Sequence, residues 1–344
     1  MSERDELLES VAKEISSYRA GEIVKPDVAH VARWLDQFTP EAQLPFLREF
    51  NHVLDQSFIA EEGVLGFLEG ILTNEKLTGG AHCDYWRKAN LLKIQQDGQS
   101  QRSMLKHLDK ALQDTCGIAL KDCGSPDGDI VYIDDIIFSG GRVGTDLDKW
   151  IREAAPQKAV VKVIVIAYHK LGIWQLENRL KKAAAEAKKD IGFTFWRLLE
   201  VENRKTYRWS SQVLWPTELP QVDVVQAYVA GLQKFPFEAR AAGGPLGIFS
   251  SEAGRQILER EFLIAGARIH SQGNVSAVNR PLGHGYFGLG FGSTLVTHRN
   301  CPNNCPLALW WGDPTATSGA LKWYPLLPRK NYSSAENVFG KFFD

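Results

Sequence analysis

Two neighbouring aspartates, Asp134 and Asp135, interrupt an apolar run in IVYIDDIIFSGGRVG, residues 130–144. Side-by-side carboxylates at the end of a strand can accept hydrogen bonds from vicinal hydroxyls, the pattern that a ribose diol presents. A Ser139-Gly140-Gly141 turn follows, with Arg142 behind it. Glycines let successive backbone N–H groups converge unobstructed, and a helix start adds partial positive charge. Residues 139–144 therefore read as a cradle for an anion such as phosphate. Ser139 adds a hydroxyl donor and Arg142 a positive charge. A diol grip beside a phosphate cradle describes a ribose 5-phosphate. The alternative is a strand-end acid pair beside a tight turn that caps a helix. A dinucleotide fingerprint fits less well, because its acid comes about 20 residues after its glycines and here the acids come first.

The flanking sequence predicts what must hold these residues. Residues 130–137 read as a strand, 144–154 as a helix, 159–167 (AVVKVIVIA) as a nearly continuous apolar strand, 171–189 as a helix and 191–199 as another strand. Such alternation indicates a parallel sheet with helices on both faces. Before it, the first ~115 residues read as helical: Leu7, Leu8, Val11 and Ile15 share a face, and Val31, Trp34, Leu35 and Phe38 recur at helical spacing. After it, 224–232 and 251–265 read as helices, the second closed by Gly266, and a Gly- and aromatic-rich tail follows. The expected division is an N-terminal helical region at 1–80, an α/β core at 81–220, and a C-terminal α+β extension at 221–344 packing on the core.

The chain has 344 residues, 44% of them apolar, enough for a sizeable core. A formal net charge of −1 argues against a general polyanion binder. Five cysteines, an odd number, predict unpaired thiols and a reducing, cytoplasmic setting. No run approaches the ~18 apolar residues of a membrane span, and the charged start MSERDELLES lacks the apolar run of a secretion signal.

Residues 130–142 resemble the phosphoribosyl-diphosphate (PRPP) motif of type I phosphoribosyltransferases: four apolar residues, two acids, two apolar residues, a variable position, then Thr/Ser-Gly-x-Thr/Ser. The resemblance implies that Asp134 and Asp135, the expected catalytic pair, hold the ribose hydroxyls. It implies that Phe138, Ser139, Gly140, Gly141 and Arg142 form the 5-phosphate loop, and that Mg²⁺ accompanies PRPP without protein side-chain ligands. Two positions depart from the pattern. Phe138 stands where some members carry an acid that acts as a base, and Arg142 replaces the more usual Thr. More widely, VARWLDQF, QQDGQSQ, YIDDIIFSGG, LGIFSSEAGRQILEREFLIAG and FGSTLVTHRNCPNNCPLALWW, together about residues 28–315, resemble a bacterial phosphoribosyltransferase-like family of anti-phage conflict systems, including effectors beside retron reverse transcriptases. That implies a toxic enzyme restrained by a partner: the reverse transcriptase, its RNA/DNA hybrid, or another protein. The competing expectation is an inactive PRPP or nucleotide sensor that binds partners through its helical additions.

Other segments offer weaker candidates. In the type I fold an early loop binds diphosphate, and Gln95, Gln96, Gly98, Ser100, Gln101 and Arg102 are its counterparts here; the alternative is a solvated loop with Ser100 as a helix cap. Tyr286 and Phe287, in the alternating-glycine run GHGYFGLGFG, and Asn300, Asn303 and Asn304, in HRNCPNNCP, could meet a base from a hood over the site. Core packing and a rigid turn are the simpler readings. Cys301 and Cys305 with His298 make a weak metal signal. Arg204, Lys205 and Arg208 interleaved with Tyr207 and Trp209 suit either single-stranded nucleic acid or a hairpin with a basic face, the second being preferred.

Overall fold

A computed structural model of the chain describes residues 1–285 and 288–329. The chain divides into two compact units, residues 62–204 and residues 1–61 together with 205–344.

The 62–204 unit is built on a parallel sheet, five-stranded among the described residues. Strand Asn90–Leu91 lies beside Ile130–Ile137, then Lys158–His169, then Asp190–Trp196, and the short strand Leu199–Val201 pairs further along Lys158–His169. Helices Ser100–Cys116, Gly141–Glu153 and Lys170–Glu186 connect successive strands. β-branched residues fill both faces of the central strands. Val161, Val163 and Val165 join Leu147, Leu176 and Leu180 in one core. The intervening Ile164 and Ile166 are buried as well. Two-sided burial is why the strands read as unbroken apolar runs. Asp134 sits opposite Val165 in this sheet, a carboxylate in a mostly apolar register.

The other unit gathers N- and C-terminal helices around one core. Trp34, Phe38, Phe46 and Phe50 meet Phe262 in an aromatic cluster, and the buried Trp34 ring donates its Nε1–H to the Ala308 carbonyl at 2.8 Å. Helix Glu252–Ser271 runs straight through Gly266, where the sequence predicts an end. A Cβ at Gly266 would lie 2.5 Å from the Pro281 Cα, so this glycine serves close packing and not termination.

Three further expectations change. Among the described residues of GHGYFGLGFG, only Gly283–His284 pairs as a strand, and Gly290 (φ +123°) and Gly292 (φ +72°) take positive-φ conformations, not those of an alternating-face strand. Tyr286 and Phe287 lie outside the described residues. Residues 203–210 form a 3₁₀ turn at Lys205–Tyr207 in place of a hairpin; Arg204 pairs with Glu202 and Lys205 with Glu238, each at 2.6 Å. Finally, Cys83 and Cys116 are joined in a disulfide across 33 residues, correcting the expectation of five thiols. Cys83 is in the helix His82–Lys88 and Cys116 ends Ser100–Cys116, so only folding brings them together. No helix among the described residues is long and apolar enough to cross a membrane.

Candidate functional site

The acid pair is held by short-range bonds within its own strand. Asp134 Oδ1 accepts the amide of Asp135 at 2.9 Å, and Oδ2 accepts the hydroxyl of Tyr132 at 3.2 Å. Ser100 adds a side-chain hydrogen bond from the start of its helix. Asp135 Oδ1 accepts the Ile136 amide at 2.7 Å. Asp134 is buried and Asp135 half-buried. Burial, and then the charge of Asp135, push the Asp134 carboxyl up to about 7, against the bonds from Ser100, Asp135 and Tyr132. Tyr132 is pushed far above its ordinary value by burial and by Asp134, Asp146 and Asp135. The centre is therefore rich in acceptors, and a ligand that brings hydroxyl donors, or a cation, relieves it.

The glycine turn meets the helix earlier than the sequence predicts. Helix Gly141–Glu153 begins three residues before 144, because Gly140 (φ +74°) serves as its N-cap and Ser139 Oγ accepts the Gly141 amide at 3.3 Å. The first i−4 bond is Gly144 N to Gly140 O, 2.8 Å. The amides of Gly141, Arg142 and Val143 thus precede any carbonyl partner in the helix, the arrangement that attracts anions. The turn is locked from behind by Gly172: a Cβ there would stand 1.9 Å from the Phe138 carbonyl, and one on Gly140 would stand 2.6 Å from the Gly172 carbonyl. Phe138 lays its ring against buried His169, with centroids 5.1 Å apart and planes at 29°. Burial drives the His169 imidazole down to about 3, so it is neutral at pH 7.

The candidate diphosphate loop closes on itself. Gln101 Oε1 accepts the amides of Ile94 and Gln95 at 3.0 and 2.9 Å; Gln95 Oε1 accepts the Gln101 amide at 3.1 Å, and Gln95 Nε2 donates to Ser100 Oγ at 2.8 Å. Gln99, not Ser100, holds the N-cap position, which leaves the serine hydroxyl for Gln95 and Asp134. Arg102 is exposed on the helix that follows. Across the loop, the Gln96 amide lies 3.4 Å from Asp146 Oδ1, and Arg142 donates to the Asp97 carbonyl.

One unit therefore brings together residues 134–135, 138–142 and 95–102. Asn300, Asn303 and Asn304 lie in the other unit, in a tight turn: the Thr297 amide donates to the Asn300 carbonyl at 3.3 Å and the Asn300 amide to the Thr297 carbonyl at 3.1 Å. Asn303 O accepts the His284 amide, and Asn304 Nδ2 donates to the His284 carbonyl. Cys301 and Cys305 are buried thiols, and His298 does not join them as a donor set among the described residues. Tyr132, Asp146, His169 and Gly172 stand at the candidate site and were missed by the sequence reading. Tyr132 had a signal, its i−2 place on the face of Asp134; Asp146 and Gly172 become visible only when the helices dock, and His169 only when strands Ile130–Ile137 and Lys158–His169 pair.

A parallel α/β sheet whose strand passes through paired acids into a glycine turn and a helix start defines a phosphoribosyltransferase-like fold. The model of the PRTase-CE family matches residues 31–329, and the chain belongs to that family. Neither the curated proteins nor the solved structures yield a match.

Proposed function

We propose that this chain binds PRPP or a related ribose 5-phosphate compound at residues 134–142 and acts there as a phosphoribosyltransferase-like enzyme. The observation that carries the reading is the buried Asp134 carboxyl with Asp135 beside it, followed across a short glycine turn by helix-start amides that lack carbonyl partners within the helix. Asp134 and Asp135 would take the ribose diol. The amides of Gly141, Arg142 and Val143, with Ser139, would take the 5-phosphate. With a PRPP ligand, the C1–O bond to diphosphate breaks, its electron pair leaves with the diphosphate, and an acceptor atom bonds to C1. The protein's part is positioning and charge placement.

Magnesium fits as the companion of a diphosphate. Asp134 is a buried carboxyl whose two oxygens accept the Asp135 amide and the Tyr132 hydroxyl, so it is poorly placed to grip a metal directly. The ion would supply positive charge to the departing diphosphate.

Resemblance to conflict-system proteins supports a toxic, growth-arresting role in anti-phage defence, restrained by a partner protein or RNA/DNA hybrid. A second reading, a PRPP sensor without turnover, is favoured by the Phe138–His169 stack. It puts a hydrocarbon ring and a neutral imidazole where an acid–base group would otherwise stand.

The test is to titrate the full chain with ribose 5-phosphate and with PRPP and Mg²⁺, then follow diphosphate release with nucleotide and base pools present. Binding with release supports the enzyme, and binding without release supports the sensor. The double variant Asp134→Asn, Asp135→Asn should fold, lose both ligands and lose toxicity on expression; retained toxicity would refute the catalytic version.

A further inference from the structure

Arg142 stands one residue into the helix that follows the glycine turn, but its side chain leaves that helix for another loop. Its Nη1 donates to the Asp97 carbonyl. The adjacent Gly98 adopts φ +94°, and a Cβ there would come within 2.5 Å of Arg142 Nη1 and 3.4 Å of Cζ. One helical turn further on, Asp146 faces the same loop at the Gln96 amide, and the Arg142 charge partly offsets the rise that burial imposes on the Asp146 carboxyl. At its other end the loop is tied to the acid pair, through Ser100 to Asp134. Residues 95–101 therefore hang between two anchors, Ser100 at the acids and Arg142 at the glycine turn. The loop's own Gln95–Gln101 clasp keeps it closed in between.

We infer that Arg142 is a positioning and selectivity residue that ties the 95–101 loop to the phosphate turn, and that it favours a ribose carrying anions at both ends over one carrying a 5-phosphate alone. A guanidinium offers several N–H donors in a fixed plane, so it can keep the Asp97 carbonyl while turning another donor to an anion seated on the loop. A threonine hydroxyl in its place has neither the reach nor the charge. Gly98 is part of the same device, since any side chain there displaces the guanidinium. The selectivity half of the inference rests on the ribose 5-phosphate reading of the site; the positioning half does not.

Two measurements separate them. In the free full-length protein, hydrogen exchange of residues 95–101 is compared between the natural chain, Arg142→Met and Gly98→Ala. Both substitutions should speed exchange in that loop by about tenfold and leave 145–153 unchanged. Unaltered exchange in the loop in both variants overturns the positioning role, and having two variants guards against one failing to fold. Calorimetric titration then compares ribose 5-phosphate with PRPP and Mg²⁺. Arg142→Met should weaken PRPP by about tenfold or more beyond whatever it costs ribose 5-phosphate. Equal weakening of both ligands, or of neither, overturns the selectivity role. If the natural chain binds neither compound, the proposed function fails and selectivity fails with it, while the exchange result still decides whether Arg142 holds the loop.

Discussion

Tyr132 donates its hydroxyl to Asp134 Oδ2 at 3.2 Å, two residues apart on one strand and wholly buried. Alternation of a strand's side chains puts both on the same face, so the acid that would grip a diol carries a built-in phenolic donor. That bond lowers the Asp134 pKa against the stronger effects of burial and Asp135. Tyr132→Phe should therefore raise the Asp134 pKa further and weaken ribose 5-phosphate binding at pH 7 by roughly three- to tenfold, for a stability change of only about 1 kcal/mol. Calorimetry and urea denaturation of the variant check both numbers. Undiminished affinity would show that the phenol does not serve the acid.

Asp134 also sets a pH dependence. Its folded value of about 7 lies above the unfolded value, about 3.9 for an aspartate. Below both values the carboxyl is protonated in either state. As pH rises from about 4 to about 7 the unfolded chain gives up the proton more readily, so stability falls through that window and stays low above it. Asp134→Asn removes the ionisation. Urea denaturation should find the variant more stable than the natural chain at pH 8, by roughly 1–4 kcal/mol, and close to it at pH 4. A variant less stable at pH 8 contradicts this account of the site.

Gly172 is predicted to be intolerant of any side chain. A Cβ would stand 1.9 Å from the Phe138 carbonyl, backbone that can move only by shifting the phosphate turn. Gly172→Ala should cost roughly 2–4 kcal/mol and impair ligand binding as well. Thermal unfolding and ribose 5-phosphate titration test it. Gly141→Ala is the matched control for stability, because there a Cβ would meet the Ser139 hydroxyl at 3.4 Å, an ordinary contact.

The Cys83–Cys116 disulfide encloses strand Asn90–Leu91, the 95–101 loop and the helix that begins at Ser100. By the chain-entropy estimate for a loop of this length, it stabilises the fold by about 3–4 kcal/mol. Denaturation with and without dithiothreitol should show that loss in the natural chain and none in a Cys83→Ser, Cys116→Ser variant. Equal stability under both conditions would mean that the bridge does not form in solution.

The parallel α/β core, and the place of Asp134 and Asp135 in its strand Ile130–Ile137, are legible along the chain. Runs such as AVVKVIVIA can be satisfied only by a strand covered on both sides, and the glycine turn after the acids has few local alternatives. These are properties of neighbours along the chain. The rest depends on packing between segments far apart in the chain. Gly266 reads as a helix end because glycine is a poor helix former, yet Pro281, fifteen residues on, needs its missing side chain. Gly172 comes to the phosphate turn, and Arg142 to Asp97, because helices dock on a sheet at angles that local periodicity does not encode, and His169 meets Phe138 through the pairing of two strands distant in sequence. The sulfurs of Cys83 and Cys116 meet for the same reason: contacts between distant segments depend on how layers pack, and spacing along the chain does not carry that information.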